Sequence, residues 1–155
     1  MDMRWFLTLP FAAQGLAMLF DEFWFHRARS LPRWERIGHP MDSLSVLLCY
    51  FFIFLNSPTY SNLYIYIGLC LFSCILVTKD EFVHKLECNS GELWLHSVLF
   101  ILHPVVFGAA GFIWFLEAPI QSRLFNLLIG QSFVILIFSL YQTVYWNFLW
   151  KPTLK

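Results

Sequence analysis

Long apolar runs, each near the ~20 residues that a helix needs to cross a bilayer, alternate with short polar punctuation along this chain. The first run covers about residues 5–26 and is interrupted only by Pro10, Gln14 and Gly15. The second covers about 41–56 and ends at Ser57-Pro58-Thr59, a turn signal. The third starts near Tyr60, stays apolar to Val77 and continues as a helix through Lys79-Asp80-Glu81-Phe82-Val83-His84 to residue 87, where Asn89-Ser90-Gly91 stops it. The fourth covers 92–116 and is closed by Glu117-Ala118-Pro119, and the fifth covers 120–150, long enough to tilt or protrude. The pattern predicts an all-α integral membrane bundle of about five transmembrane helices in a single domain, residues 1–155. Asp-Glu-Phe occurs at 21–23 and again at 80–82, each time followed by a histidine, a turn and a new helix opening with an acid and a histidine. That echo suggests two duplicated helical hairpins plus a fifth helix.

Composition narrows the class. The chain is 59% hydrophobic and only 13% charged, with a mean hydropathy of +0.63, outside the range of an ordinary soluble domain. Formal net charge is zero and no block of like charge appears, which argues against nucleic acid as a partner. The four cysteines lie mostly in apolar runs, and Cys70-x-x-x-Cys74 is one helical turn, so they read as small core hydrophobes. The N-terminus lacks a basic n-region and a small-residue cleavage site before its apolar run, which therefore reads as a retained span. Loops rich in Lys and Arg stay in the cytoplasm. Arg27, Arg29, Arg33 and Arg36, then Lys79 and Lys85, then Lys151 and Lys155 therefore place the N-terminus outside and the C-terminus in the cytoplasm. The segment 30–38, with Trp34 and Ile37 among charges, reads as a short interfacial piece.

The remaining polar residues gather at one end of these spans. Ionisable groups in or beside a bilayer are costly and are by default candidates for function. On a helix, residues three and four apart share a face. Glu22 thus aligns with His26, Asp80 and Glu81 with His84, and Glu92 with His96, while His39 and Asp42 open the second span and His103 lies deepest, before Pro104. Depth along the helices suggests two layers, His26, His84 and His96 above Glu22, Glu81 and His103. Carboxylate and imidazole ligands suit iron, manganese or zinc rather than copper(I) or an iron–sulfur cluster. Glutamates with Glu-x-x-His pairs are the ligands of ferritin-like di-iron bundles, and Glu81-x-x-His84 has that spacing. The candidate ligands are therefore Glu22, His26, Glu81, His84, His96, His103, His39, Asp42, Asp80 and Glu92, for one or two metal ions, iron favoured and zinc or manganese as alternatives.

Plainer readings stand beside these. His39-Pro40-x-Asp42 has the form of a helix start, with proline in the first turn, and Glu92 that of a partner to a helix N-terminus. Asp21, Asp80, Glu87 and Glu35 read as interfacial ion pairs with Arg27, Lys79, Lys85 or Arg36. Gln142 and Tyr145 fit partners that orient ligands, whereas Trp146 and Trp150 fit an interfacial aromatic belt. The whole cluster is also compatible with a satisfied polar network that holds no metal.

The strings Asp21-Glu-Phe-Trp-Phe-His-Arg-Ala-Arg, Arg33-Trp-Glu-Arg-Ile-Gly-His-Pro-Met-Asp42, Lys79-Asp-Glu-Phe-Val-His84, Gly91-Glu-Leu-Trp-Leu-His96 and Leu102-His-Pro104 resemble a group of small bacterial multi-pass inner-membrane proteins. The resemblance implies that location and supplies no reaction. The residues themselves favour a metal-dependent, di-iron-type membrane oxidoreductase, hydroxylase- or desaturase-like, acting on a lipid or other apolar small molecule at the cytoplasmic leaflet. The alternatives are an intramembrane zinc hydrolase of a lipid amide or ester, and a non-enzymatic ion or proton relay or accessory subunit. Membrane lipids are expected neighbours, and a protein partner or homo-oligomer is compatible with the pattern.

Overall fold

The computed structural model describes residues 3–29, 31–117 and 122–150. Among them there are five helices and no strand. α1 is one helical run made of a 3₁₀ turn at Met3–Thr8, an α-helix at Leu9–Phe20 and a π-turn at Asp21–His26. α2 is Arg33–Leu55. α3 is Tyr60–Glu87, with a 3₁₀ turn at Thr78–Asp80. α4 is Ser90–Glu117, and α5 is Arg123–Leu149, ending in a π-turn at Tyr145–Leu149. The turn at 118–119, residues 120–121 and Lys151 and Lys155 lie outside the described residues, as does Ser30 of the expected interfacial piece.

Helices α2 to α5 are each long and apolar enough to cross a membrane. The α-helical part of α1, Leu9–Phe20, has only 12 residues, too few to cross a membrane by itself. α1 nevertheless runs antiparallel along α4: Asp21 pairs with His96 and Gln14 with His103, so seven residues down one helix match seven up the other. Large apolar side chains such as Leu16, Leu71, Ile75, Phe112 and Ile137 cover the outside. Water would make that surface costly, whereas lipid matches it.

One boundary differs from expectation. α2 starts eight residues before the expected 41, at Arg33, with Pro32 preceding it in extended backbone. The interfacial segment is thus the first turns of α2 itself, and Pro40 lies inside the helix, not at its start. A proline there has no N–H to give the carbonyl four residues back. That carbonyl belongs to Arg36, and Asn147 Nδ2 of α5 donates to it at 3.3 Å.

The apolar core fills the end of the bundle away from the acids. Tyr50, Ile53, Phe107, Ala110, Trp114, Phe125 and Leu128 are its buried centre. Trp114 Nε1 donates to the Asn56 carbonyl at the end of α2 at 2.9 Å, and Tyr66 of α3 donates to the Phe107 carbonyl at 2.8 Å. Gly111 allows this approach, since a Cβ there would lie 3.1 Å from the Tyr66 ring. Side chains cap the helices on the same side, Thr59 accepting from Asn62 N and Ser122 from Phe125 N. Intramembrane hydrogen bonds are worth about 0.6 kcal/mol on average. Tyr66→Phe should therefore lower stability by about that amount and leave the fold intact, as measured by reversible unfolding in mixed micelles.

Candidate metal centre

Four helices bring their ionisable residues to one end of the bundle. α1 supplies Asp21, Glu22 and His26, α2 supplies Glu35, His39 and Asp42, α3 supplies Asp80 and His84 with Cys88 just past its end, and α4 supplies Glu92 and His96. Glu22, Glu35 and Glu92 are 1% exposed or less. Four sets of these side chains, Asp21–His26–Glu92–His96, His26–Glu35–His39, His39–Asp42–Asp80 and His84–Cys88–His96, have their donor atoms within 4.8 Å of one another, close enough to hold a metal ion. Every member of the first set is buried.

The two hairpins meet about a pseudo-two-fold axis, and distances show it. Equating His26 with His84, Asp21 with Asp80, Glu35 with Glu92 and His39 with His96 pairs the contacts across the halves. His26–Glu92 and His84–Glu35 are both 3.9 Å. The His26–His96 ring separation is 6.3 Å and its counterpart, His39–His84, is 6.4 Å. His26–His39 at 4.9 Å answers to His84–His96 at 4.0 Å, and Asp21–His96 at 3.1 Å to Asp80–His39 at 3.7 Å. Gly38 permits the approach of α3 to α2, since a Cβ there would lie 3.0 Å from Asp80 Oδ1. Arg29 joins the two equivalent glutamates, donating to Glu35 at 2.6 Å and to Glu92 at 2.8 Å. Burial opposes the charge on Arg29, but the Glu35 and Glu92 carboxylates more than offset this and raise its pKa.

Local backbone sets the chemistry of the first half. A π-turn holds more residues per turn than an α-helix, so Asp21 and His26, five apart, face each other at 3.1 Å. His26 Nδ1 also meets Glu22 Oε2 at 3.3 Å. A carboxylate only accepts, so Nδ1 carries the proton, and in the neutral ring Nε2 presents its lone pair to Asp21 Oδ2. Only a cation between those two atoms, a second proton or a metal ion, makes that contact attractive. Two ligands each ~2.1 Å from an ion stand roughly 3.0–3.4 Å apart, and Asp21 Oδ2 is 3.1 Å from Nε2 of both His26 and His96.

Satisfaction of polar atoms separates Glu22 from the rest of the cluster. Glu22 is fully used, accepting from Trp146 Nε1 at 2.7 Å, Gln142 Nε2 at 2.9 Å and Tyr141 Oη at 3.2 Å, all on α5. By contrast, among the described residues Glu35 Oε1, His39 Nε2, Asp80 Oδ1, both nitrogens of His84, Glu92 Oε2 and His96 Nδ1 are buried without a hydrogen-bond partner. A buried polar group left so costs about 1–3 kcal/mol. Asp21, Glu22, Glu35, Asp42, Asp80 and Glu92 make six carboxylates against the two cations Arg29 and Lys79, which leaves four negative charges. Protons, on imidazoles or on the carboxylates themselves, or bound metal cations supply the balance.

The sequence-predicted residues fall into three places. His26, His39, Asp42, Asp80, His84, Glu92 and His96 enter the groups spaced for a metal. Lys79 Nζ takes both Asp42 oxygens at 2.7 Å, and Glu22 lies one step out, anchoring His26. His103 is buried deeper on the same cavity, contacting Gln14 at 3.3 Å and Ser73 at 3.0 Å, and Glu81 is exposed on α3; neither belongs to those groups. Asp21 and Glu35, read from sequence as ion-pair residues, stand inside the cluster, as does Cys88. Trp146 is buried against Glu22 and is not a belt residue, while Trp150 stacks under Arg36 at 4.4 Å. Gln142 donates to Glu22, whereas Tyr145 stacks on Tyr141. The signal for Asp21 was in the sequence: the two Asp-Glu-Phe copies differ by one residue in their distance to histidine.

A cavity of about 140 Å³ opens on the inner side of the cluster, between Asp21, His26, His39, His84 and His96 at one end and Tyr50, His103 and Val106 at the other. Compared with protein-family models, with curated proteins and with solved structures, the chain matches none.

Glu22→Leu should strand three donors of α5 and destabilise the protein by roughly 3 kcal/mol or more, at ~1–3 kcal/mol per group. Glu81→Ala should change stability by less than about 0.5 kcal/mol. Thermal unfolding of the two variants in one detergent makes the comparison.

Proposed function

We propose that this chain is a membrane-embedded, metal-dependent oxidoreductase whose centre holds two metal ions, iron favoured, at the ends of α1–α4. The observation that carries this reading is the pseudo-symmetric set of four imidazoles and four carboxylates, most of them with buried atoms that lack a hydrogen-bond partner. Mixed nitrogen and oxygen ligation on a helical bundle is the donor chemistry of dinuclear iron and manganese carboxylate proteins. Bound there, such ions supply electron transfer and oxygen activation. The chain's own residues do the rest: Glu22 fixes the His26 ring, Arg29 closes the outer side, and the cavity keeps an apolar molecule against the centre. At this size the cavity holds a small molecule or the end of a larger one, not a whole acyl chain. The basic residues at the cluster end support a cytoplasmic position for it in a bacterial inner membrane. One feature favours zinc instead, since His84, Cys88 and His96 form a nitrogen and sulfur set of a kind that zinc accepts, and a zinc hydrolase is the second reading.

Elemental analysis of protein purified without chelators tests the proposal. About two ions of iron per chain, with a visible absorption change on admitting oxygen, are expected. Zinc alone would transfer the case to the hydrolase, and no bound metal after anaerobic preparation would overturn both. Glu35→Ala and His84→Ala should each lose metal while Glu81→Ala keeps it, and equal metal content in all three would show that the site lies elsewhere.

A further inference from the structure

The inner end of the cavity carries polar groups that the metal centre does not use. Tyr50 is 1% exposed, lines the cavity and has no partner for its hydroxyl among the described residues. Gln14 lines it too; its Nε2 lies 3.3 Å from His103 Nδ1, and its Oε1 has no partner. On its far side His103 is held by Ser73 at 3.0 Å, and Ser73 in turn meets Ser45 at 2.6 Å, whose hydroxyl donates to the Asp42 carbonyl at 2.7 Å. The polar end is therefore braced by four helices, and among the described residues Tyr50 Oη and Gln14 Oε1 are buried atoms there left without a partner. An unpartnered buried hydroxyl is a stability cost that packing alone gives no reason to keep.

The two free capacities are complementary. Tyr50 Oη can donate, Gln14 Oε1 can only accept, and a ligand hydroxyl does both in reverse. A carbonyl would satisfy Tyr50 alone, and a charged group would meet no opposite charge at that end. The walls between the two ends include Met18, Val46, Leu99, Phe100 and Val106. The volume, about 140 Å³, is close to that of an engineered apolar cavity of ~150 Å³ that binds benzene. From His96 to His103 is seven residues of α4, roughly 10 Å at ~1.5 Å per residue.

We propose that the inner end of this cavity is a binding subsite for the hydroxyl of a small, uncharged, otherwise apolar alcohol of about six to ten heavy atoms. Tyr50 donates to the hydroxyl oxygen, Gln14 accepts its proton, and the apolar remainder extends toward the histidine cluster. Calling this molecule the substrate rests on the oxidoreductase reading; its binding does not. The arrangement presents carbon, not the hydroxyl, to the centre.

The test uses ¹⁹F NMR on the full chain in detergent, both as purified and stripped of metal, with 4-fluorobenzyl alcohol as probe and 4-fluorotoluene as the control that lacks the hydroxyl. The alcohol should bind about five- to tenfold more tightly than the toluene, the worth of one well-made hydrogen bond. Tyr50→Phe should abolish that preference, leave the toluene's affinity unchanged and raise the unfolding temperature, because it removes an unpartnered hydroxyl and keeps the ring. Gln14→Leu should reduce the preference independently. Equal affinity for the two probes in the unaltered protein, or a preference that survives Tyr50→Phe, would overturn the subsite. A preference that persists in a protein found to bind no metal would uphold the subsite and remove the oxidoreductase reading, so the two stand or fall separately.

Discussion

Six carboxylates gathered at one end of a membrane bundle against two cations is the constraint on which the rest of this structure depends. Charges out of water are tolerated only when paired or ligating, so the helices must bring every compensating group to the same place. Arg29 lies between the two equivalent glutamates because a single guanidinium can serve both halves there. Lys79 reaches Asp42 and Asp80 together for the same reason. What these two leave uncompensated falls to protons or other cations, and among the described residues several nitrogens of the four imidazoles have no hydrogen-bond partner. A protonated ring without an acceptor relieves little, whereas a metal cation uses the lone pair directly. The apolar opposite end, with Trp114 and Phe125 at its centre, supplies the packing that the polar end lacks.

The helices were legible because lipid imposes a length and a composition on each of them. The start of α2 was not, because Pro40 reads locally as a beginning, and only Asn147, more than a hundred residues later, makes a proline tolerable inside that helix. Within the site, α-helical spacing correctly aligned Glu22 with His26 and concealed Asp21, whose place depends on the π-turn. Glu35 pairs with an arginine as its charge suggested, but it does so with no exposed surface and 3.9 Å from His84. Spacing gives the face of a helix and not its depth of burial or its neighbours, and those decided the role of each acid.

Glu22 and Glu81 make this concrete. They occupy the same position in the two Asp-Glu-Phe copies, and sequence alone gave no reason to part them. α5 covers the first hairpin at this point and presents Trp146, Gln142 and Tyr141 to Glu22. Among the described residues no sixth helix does the same for the second hairpin, and Glu81 is exposed. The paired contacts of the two hairpins thus make a near-symmetric core, and α5 breaks that symmetry one shell out.

That asymmetry gives His26 and His84 different mechanical character. His26 is fixed through Glu22 to three donors on α5, so its ring orientation is set before anything binds. His84, its counterpart, has neither nitrogen engaged and lies on a stretch of α3 whose neighbours Phe82 and Leu86 are more than four-fifths exposed. A ring without anchoring hydrogen bonds reorients at lower cost than one held by a buried carboxylate. His26 is thus the fixed ring of the cluster and His84 the freer one. The cavity reaches both rings, so one part of its wall is held by hydrogen bonds and another is not.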